Sequence, residues 1–241
     1  MSRDDLLTGG HRDAAPPDVD LDRVWLGVAE QVWRRRPGPV ERAAGRLLRS
    51  PGLARALVTT PSLLLGWVIA SAVVLIAGAG FTLSTGQPWV ALLAPAVAAA
   101  GIAYAYGPGI DPAWELSLSM AVSDRMVLLV RALAVFGLNA ALGLAASAAS
   151  GAAAAVTFGW LVPMTAVCAL ALAAATVTRS PNAGVAAGSA GWVIAILAGH
   201  AADGRYTTAV TDSSLVLPYL AFAAGCCVVV VVATRIPRGT R

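Results

Sequence analysis

ALAVFGLNAALGLAASAASGAAAAVTFGWLVPMTAVCALALAAATVT, from Ala132 to Thr178, runs for 47 residues without a charge. As one helix it would be about 70 Å long at a rise of about 1.5 Å per residue, more than twice the roughly 30 Å core of a bilayer. The stretch must therefore fold back on itself. Its small residues cluster between Ser150 and Gly159, and the turn is predicted there.

Working outward, uncharged stretches of similar kind alternate with short arginine-bearing breaks from Pro61 to Ala233. Each crossing needs about 20 apolar residues. Six spans are predicted: Leu63–Leu83, Pro88–Tyr106, Val127–Ser147, Trp160–Val177, Ala183–Gly199 and Leu215–Ala233. Hydrophobic residues make up 58% of the 241 and the mean hydropathy is +0.73. The fold class expected is all-α, a polytopic membrane protein of six transmembrane helices with a cytoplasmic amphipathic amino-terminal arm. Its expected divisions are a disordered tail over 1–20, amphipathic helices over 21–60 and a six-helix domain over 61–235.

All 17 basic residues are arginine. Sixteen of them, including Arg125 and Arg131 between the second and third spans, Arg179 and the arginines at both ends of the chain, fall on one side of the predicted bilayer; Arg205 alone falls opposite. The positive-inside rule then predicts both termini in the cytoplasm, in agreement with an even number of spans. A multi-pass protein of the bacterial cell membrane is expected, with Ser123 and Ser180 inside and Gln87 and Thr208 outside. No cleavable signal segment is expected, because Met1 to Arg55 is polar. The sequence pI of about 9.4 does not point to nucleic acid, since the cations track membrane edges, where they meet anionic headgroups.

Residues 1 to about 20 carry five aspartates and Pro16-Pro17 without apolar periodicity, and are expected to be disordered. Val24, Trp25, Val28, Ala29, Val32 and Trp33 then follow helical spacing, with Asp20 or Asp22 as amino-terminal cap. Beyond Arg34 to Pro39, the segment Val40–Leu57 sets Leu47, Leu48, Leu53 and Leu57 among Arg42, Arg46, Arg49 and Arg55. Two readings fit it: a helix lying along the inner leaflet with its arginines on the membrane surface, or one packed on a cytosolic protein.

The spans offer little chemistry. None contains Asp or Glu, and Arg131 stands near enough to an edge to snorkel, which disfavours coupling to protons or sodium. Asn139, the most polar side chain deep in a span, reads as interhelical glue or as a polar group at a pore or interface. Gly184 and Gly188 form a GxxxG pair, a pattern of close helix packing that can also serve a dimer. Cys168, Cys226 and Cys227 lie in spans and read as small apolar residues. Ser189 and His200 share a span, but eleven residues separate them by about 16 Å along the axis, too far for a nucleophile and its base. His11 and His200, the only histidines, lie on opposite sides, so no metal site is expected. Nor can the chain hold ATP in a P-loop, which requires a lysine.

The polar segment with most to say is the second inner loop. Gly107 to Pro112 is a turn cluster; Trp114, Glu115, Leu116, Leu118, Met120 and Val122 follow, and Ser123 and Asp124 stand as caps for the next helix. A half-apolar cytoplasmic helix needs a partner, either its own neighbours or a peripheral protein. An acidic residue, a short Leu-rich helix, a small-residue break, Ser-x-Arg and an apolar span with Arg131 in its first turns resemble the loop between the second and third spans of type-2 permeases of ABC transporters. In them this loop is the coupling helix that docks on the ATPase. By that resemblance Glu115 opens the helix, Leu116 to Met120 form its docking face with Trp114, and Ser123 to Arg125, including Asp124, close it. The six-span plan and the Val40–Leu57 segment are similar too. The loop departs from the family in carrying Gly107-Pro-Gly and Asp111-Pro where a Gly-Thr is usual, and the outer segment Ala201–Ser214 is short for the re-entrant hairpin of some relatives.

The resemblance implies no enzymatic activity and no cofactor in this chain, with ATP and Mg held by separate ABC-type ATPase subunits. It also implies a second permease chain, the same or related, in the lipid bilayer. A second resemblance leads elsewhere: Trp25 to Leu57, with Arg34-Arg-Arg-Pro-Gly-Pro, is similar to the region that follows zinc-binding anti-sigma heads in some actinobacterial membrane proteins. No cysteine precedes Cys168, so the head itself is absent from this sequence. The alternative it implies is a membrane anchor or regulator that recruits a cytosolic factor through the arm.

Overall fold

The structure, a computed structural model, describes residues 20, 22–27, 38–58, 65–106 and 124–235. The chain divides into two units, Met1–Pro39 and Val40–Arg241. In the first, residues 22–27 form a short helix capped by Asp20, whose Oδ1 accepts from the Arg23 N–H at 3.0 Å and whose carbonyl accepts from the Val24 N–H at 3.0 Å. Of the two aspartates available, it is the one placed to satisfy the helix's first free amides. Apart from Asp20, the predicted disordered tail lies outside the described residues, as do Val28 to Pro37.

From Pro39, the last residue of the first unit, the chain forms α1 (Pro39–Leu48) and then α2 (Pro51–Val58). The sequence predicts one segment here; the structure breaks it. Arg49 takes the left-handed conformation at φ 50°, and Pro51, which disfavours helix in the residue before it, starts afresh behind Ser50, whose Oγ accepts from the Leu53 N–H at 3.4 Å. Leu53 and Ala54 of α2 are buried, and Leu53 clusters with Val127. Arg42, Arg46, Arg49 and Arg55 are exposed.

The remaining helices are α3 (Leu65–Thr85), α4 (Trp89–Ala103), α5 (Asp124–Ala149), α6 (Ala154–Gly159), α7 (Leu161–Thr178), α8 (Pro181–Asp203), α9 (Thr208–Thr211) and α10 (Val216–Arg235). The described residues are thus all-helical. Among them, five stretches are long and apolar enough to cross a membrane: Gly66–Thr85, Arg125–Ala149, Val156–Thr178, Pro181–Asp203 and Ser213–Thr234. That is the make-up of a multi-pass membrane protein. The second predicted span is the exception. Within Pro88–Tyr106, bounds predicted to a few residues, α4 covers Trp89–Ala103, 15 residues or about 22 Å at about 1.5 Å per residue.

This shortest of the apolar helices is also the most enclosed. It packs against α3, α5, α7 and α8, and Val90, Ala91, Ala94, Pro95, Ala98, Ala99 and Ile102 are all buried. Alanine is what permits this, because a methyl side chain lets four neighbours approach a single backbone closely. At its start the chain reverses through Gly86 at φ 70°; Thr82 Oγ1 accepts from the Trp89 N–H at 3.1 Å and donates to the Gly78 carbonyl at 2.8 Å.

The 47-residue uncharged stretch turns where its composition predicts. α5 stops at Ala149, Gly151 adopts φ 69°, and α6 leads through Trp160 into α7. Trp160 is wholly buried against Gly143, where a Cβ would lie 2.6 Å from the indole Cη2. α7 and α8 pack as an antiparallel pair joined at Arg179 (φ 56°), with Ser180 Oγ accepting from the Ala183 N–H at 3.4 Å and Pro181 in the first turn. α10 packs mainly on α7.

Candidate functional site

The residues expected to dock an ATPase fall largely outside the description: Trp114, Glu115, Leu116, Leu118 and Met120 belong to 107–123. Asp124 opens α5. Arg125 is half-buried and turned to the bundle, donating through Nε and Nη2 to the Thr234 carbonyl at 3.4 and 3.2 Å. The last carbonyls of a helix have no amide partner within it, and a guanidinium satisfies one of them while meeting the negative end of the α10 dipole. The start of α5 is thereby tied to the end of α10. Beside the end of α4, the Tyr104 hydroxyl donates to Asn182 Oδ1 at 3.1 Å, bringing the α7–α8 turn to the same end of the bundle.

Arg131 does not reach for the edge. It is 2% exposed, and the snorkelling reading gives way to an arginine buried inside the chain and engaged there. A helical side chain lies back along its own helix, and on this face of α5 Val127, Leu128 and Val135 point inward with it.

Asn139 is also 2% exposed. Its Nδ2 donates to the Val135 carbonyl of its own helix at 2.9 Å, and its Oδ1 finds no partner among the described residues. Opposite lies Gly101 of α4: a Cβ there would stand 3.1 Å from Trp67 Nε1 and 3.4 Å from Asn139 Nδ2. The Trp67 Nε1 hydrogen is likewise unpartnered among the described residues. Three helices thus bring a free donor and a free acceptor to one glycine. This is packing geometry with spare hydrogen-bonding capacity, not a catalytic constellation. Among the described residues no three of His, Cys, Asp or Glu stand together.

Gly184 and Gly188 are spent inside the molecule. Their missing Cβ atoms make room for α7 and α4, through Ala171, Ala175 and Ala103 at the first and Ala171 and Ala99 at the second. Ser189 is half-buried on the same helix, while His200 at its far end stacks on Tyr206 at 4.1 Å with the rings within 9° of parallel.

One further feature was not foreseen. A cleft of about 880 Å³ opens between α4 and α8 at the end of the bundle opposite Arg125, walled by Leu92, Leu93, Ala96, Trp192, Val193 and Ile196. Trp192 is fixed in its floor by an Nε1–H bond to the Leu92 carbonyl at 2.6 Å. Its mouth carries Gln87, Trp89 and the run Gly204 to Thr207. Gly204, at φ 67°, caps α8 by donating to the His200 carbonyl at 2.8 Å, a left-handed turn that glycine makes without strain and that leads into Arg205 at the cleft. The signal in the sequence was Arg205 itself, the single arginine on the predicted outer side. The outer segment is not a simple loop either: Thr208, Ala209 and Val210 of α9 are buried, and the Tyr219 hydroxyl donates to the Ala209 carbonyl at 3.1 Å.

No family model, curated protein or solved structure matches the chain.

Proposed function

We propose that the chain is the membrane permease subunit of an ATP-driven bacterial exporter, working with separate ATPase subunits and a second permease chain. In this reading α3, α4, α5, α6–α7, α8 and α10 make six passages between two membrane faces. The termini and the 107–123 loop are cytoplasmic, and that loop is the contact through which the ATPases drive the bundle. Access would then switch by movement between two packed arrangements of the helices.

The observation that carries this reading is the partition of arginine along the chain. Arg125, Arg179 and Arg235, the last residue of α10, stand at one end of the bundle, and Arg205 stands at the other. The loop that resembles a coupling helix leaves α4 and enters α5 at this arginine-rich end. Arg125 joins the loop's exit to α10, so a force on the loop would reach two helices at once. The absence of lysine from the sequence, which a P-loop requires, supports placing hydrolysis in another chain.

Copurification from native membranes tests it. An ATPase with a P-loop should accompany the tagged full-length chain, and Glu115→Arg and Leu118→Asp should each weaken that association a hundredfold or so, since an unpaired charge at an apolar contact costs several kcal/mol. Recovery of the chain without any such ATPase would sink the proposal.

One observation favours the second reading, a membrane anchor that recruits a cytosolic factor through its arm. In the 22–27 helix Trp25 is 72% exposed between exposed Val24 and Leu26, an aromatic anchor of the kind that partners bury. Loss of every bound protein on deletion of residues 1–50, with the loop variants binding normally, would select it.

A further inference from the structure

We propose that the cleft between α4 and α8 holds a single phospholipid with an anionic headgroup, one acyl chain lying in the trough and the phosphate on Arg205. The inference goes beyond the permease reading and requires no ATPase; it needs only that the bundle sits in a bilayer.

The volume of about 880 Å³ falls within the range of specific ligand sites, about 300–1,000 Å³. Its walls are aliphatic and indole, with no charged group below the mouth. A trough of this kind beside a bilayer takes hydrocarbon, but hydrocarbon alone would make it one more lipid-facing groove. What distinguishes it is the mouth. Arg205 is exposed, and among the described residues its guanidinium makes no hydrogen bond or ion pair, although Asp203 is two residues away. A guanidinium offers two parallel N–H donors that match a phosphate's oxygens.

The rest of the rim is built and held. Tyr206 is stacked on His200, Trp89 Nε1 donates to Thr85 Oγ1 at 3.1 Å, and Gly204 sets the turn that places Arg205 among the residues lining the cleft. Tryptophan and tyrosine at this level are the side chains that settle at headgroup depth, with the ring in hydrocarbon and the polar tip in water. Charge, aromatic rim and apolar trough thus follow one another in the order headgroup, glycerol and acyl chain. A zwitterionic lipid would fill the trough but bring its own cation next to Arg205, so an anionic headgroup is the better complement.

The test uses the full-length chain in a non-ionic detergent, titrated separately with phosphatidylglycerol, phosphatidylcholine and glycerol 3-phosphate, with retained lipid counted by native mass spectrometry. Phosphatidylglycerol should be retained about fivefold better than phosphatidylcholine, equivalent to about 1 kcal/mol for one arginine at a membrane surface. Arg205→Gln should bring that ratio to about one, and Arg205→Lys should keep most of it. Ala96→Trp, which fills the trough, should reduce retention of both lipids; should that variant fail to fold, the Arg205 pair decides alone. Arg179→Gln, at the other end of the bundle, should leave the ratio unchanged. An unchanged ratio in Arg205→Gln, an equal fall in Arg179→Gln, or full retention in a folded Ala96→Trp would each overturn the proposal. So would displacement of phosphatidylglycerol by glycerol 3-phosphate, which would make this a site for a free anion.

Discussion

A Cβ on Gly184 would stand 2.6 Å from the backbone carbonyl oxygen of Ala171, closer than such atoms approach in folded proteins. The carbonyl belongs to α7 and cannot rotate away as a side chain could, so α7 and α8 are in contact along their backbones. Gly188, one turn on, repeats the approach against Ala171 and Ala99. The GxxxG pair therefore knits one chain together and is not available as the face on which two chains meet.

The contact is directly testable. Gly184→Ala should destabilise the bundle by about 1–3 kcal/mol, the range for overpacking a tight interior, despite alanine's better helix propensity. Gly225→Ala on α10, where a Cβ meets nothing within 4 Å, should be neutral or slightly stabilising. Thermal unfolding in detergent measures both; equal midpoints would show that α7 and α8 are not so close.

Asn139→Leu is expected to leave thermal stability unchanged or to raise it by about 1 kcal/mol. The substitution removes a buried Oδ1 that has no partner among the described residues and a donor used only on its own helix. A fall of more than about 1 kcal/mol by the same measurement would mean that the amide holds a partner across the interface.

Thr208 reads in the sequence as an exposed outer-loop residue, but it is 9% exposed, at the start of α9. Thr208→Asp should therefore cost about 2 kcal/mol or more through burial of an unpaired carboxylate, whereas Thr211→Asp, on an exposed residue of the same helix, should be near neutral. Comparison of the two unfolding midpoints checks this, and similar values would return the segment to the surface.

Removing the Arg125 side chain should loosen the junction of α5 and α10. Arg125→Ala is expected to lower stability by about 1 kcal/mol, in keeping with a partly exposed, charge-assisted contact at 3.2–3.4 Å. Labelling of a cysteine at Thr234 should become faster in that variant. An unchanged labelling rate would show that the two helix ends are held by something else.

For the six crossings proposed, the arginine partition predicts which loops face the cytoplasm. In a chain with Cys168, Cys226 and Cys227 replaced, single cysteines at Ser123 and Arg179 should react with a membrane-impermeant reagent only from the cytoplasm. Cysteines at Gln87 and Asp203 should react only from outside, and reaction of Ser123 and Gln87 from one side would refute six crossings.

By itself the sequence determined the all-helical membrane character, the position of each long apolar helix to within a few residues, and the reversal between Ser150 and Gly159. Those follow from sums over neighbouring residues: hydropathy over a bilayer's thickness, the cost of a charge in hydrocarbon, and the freedom of glycine. It did not reveal that the Trp89–Ala103 helix is short and central, that α2 docks on α5 through Leu53 and Val127, that Arg131 is buried, or that Arg205 lines a cleft. Each of these depends on which side of a helix faces inward, and helices apolar on every side carry no periodic signal of it. Only the tertiary structure decided that, by setting alanine and glycine where backbones meet and enclosing a few large side chains, Trp160, Trp192 and Met164 among them, between the helices.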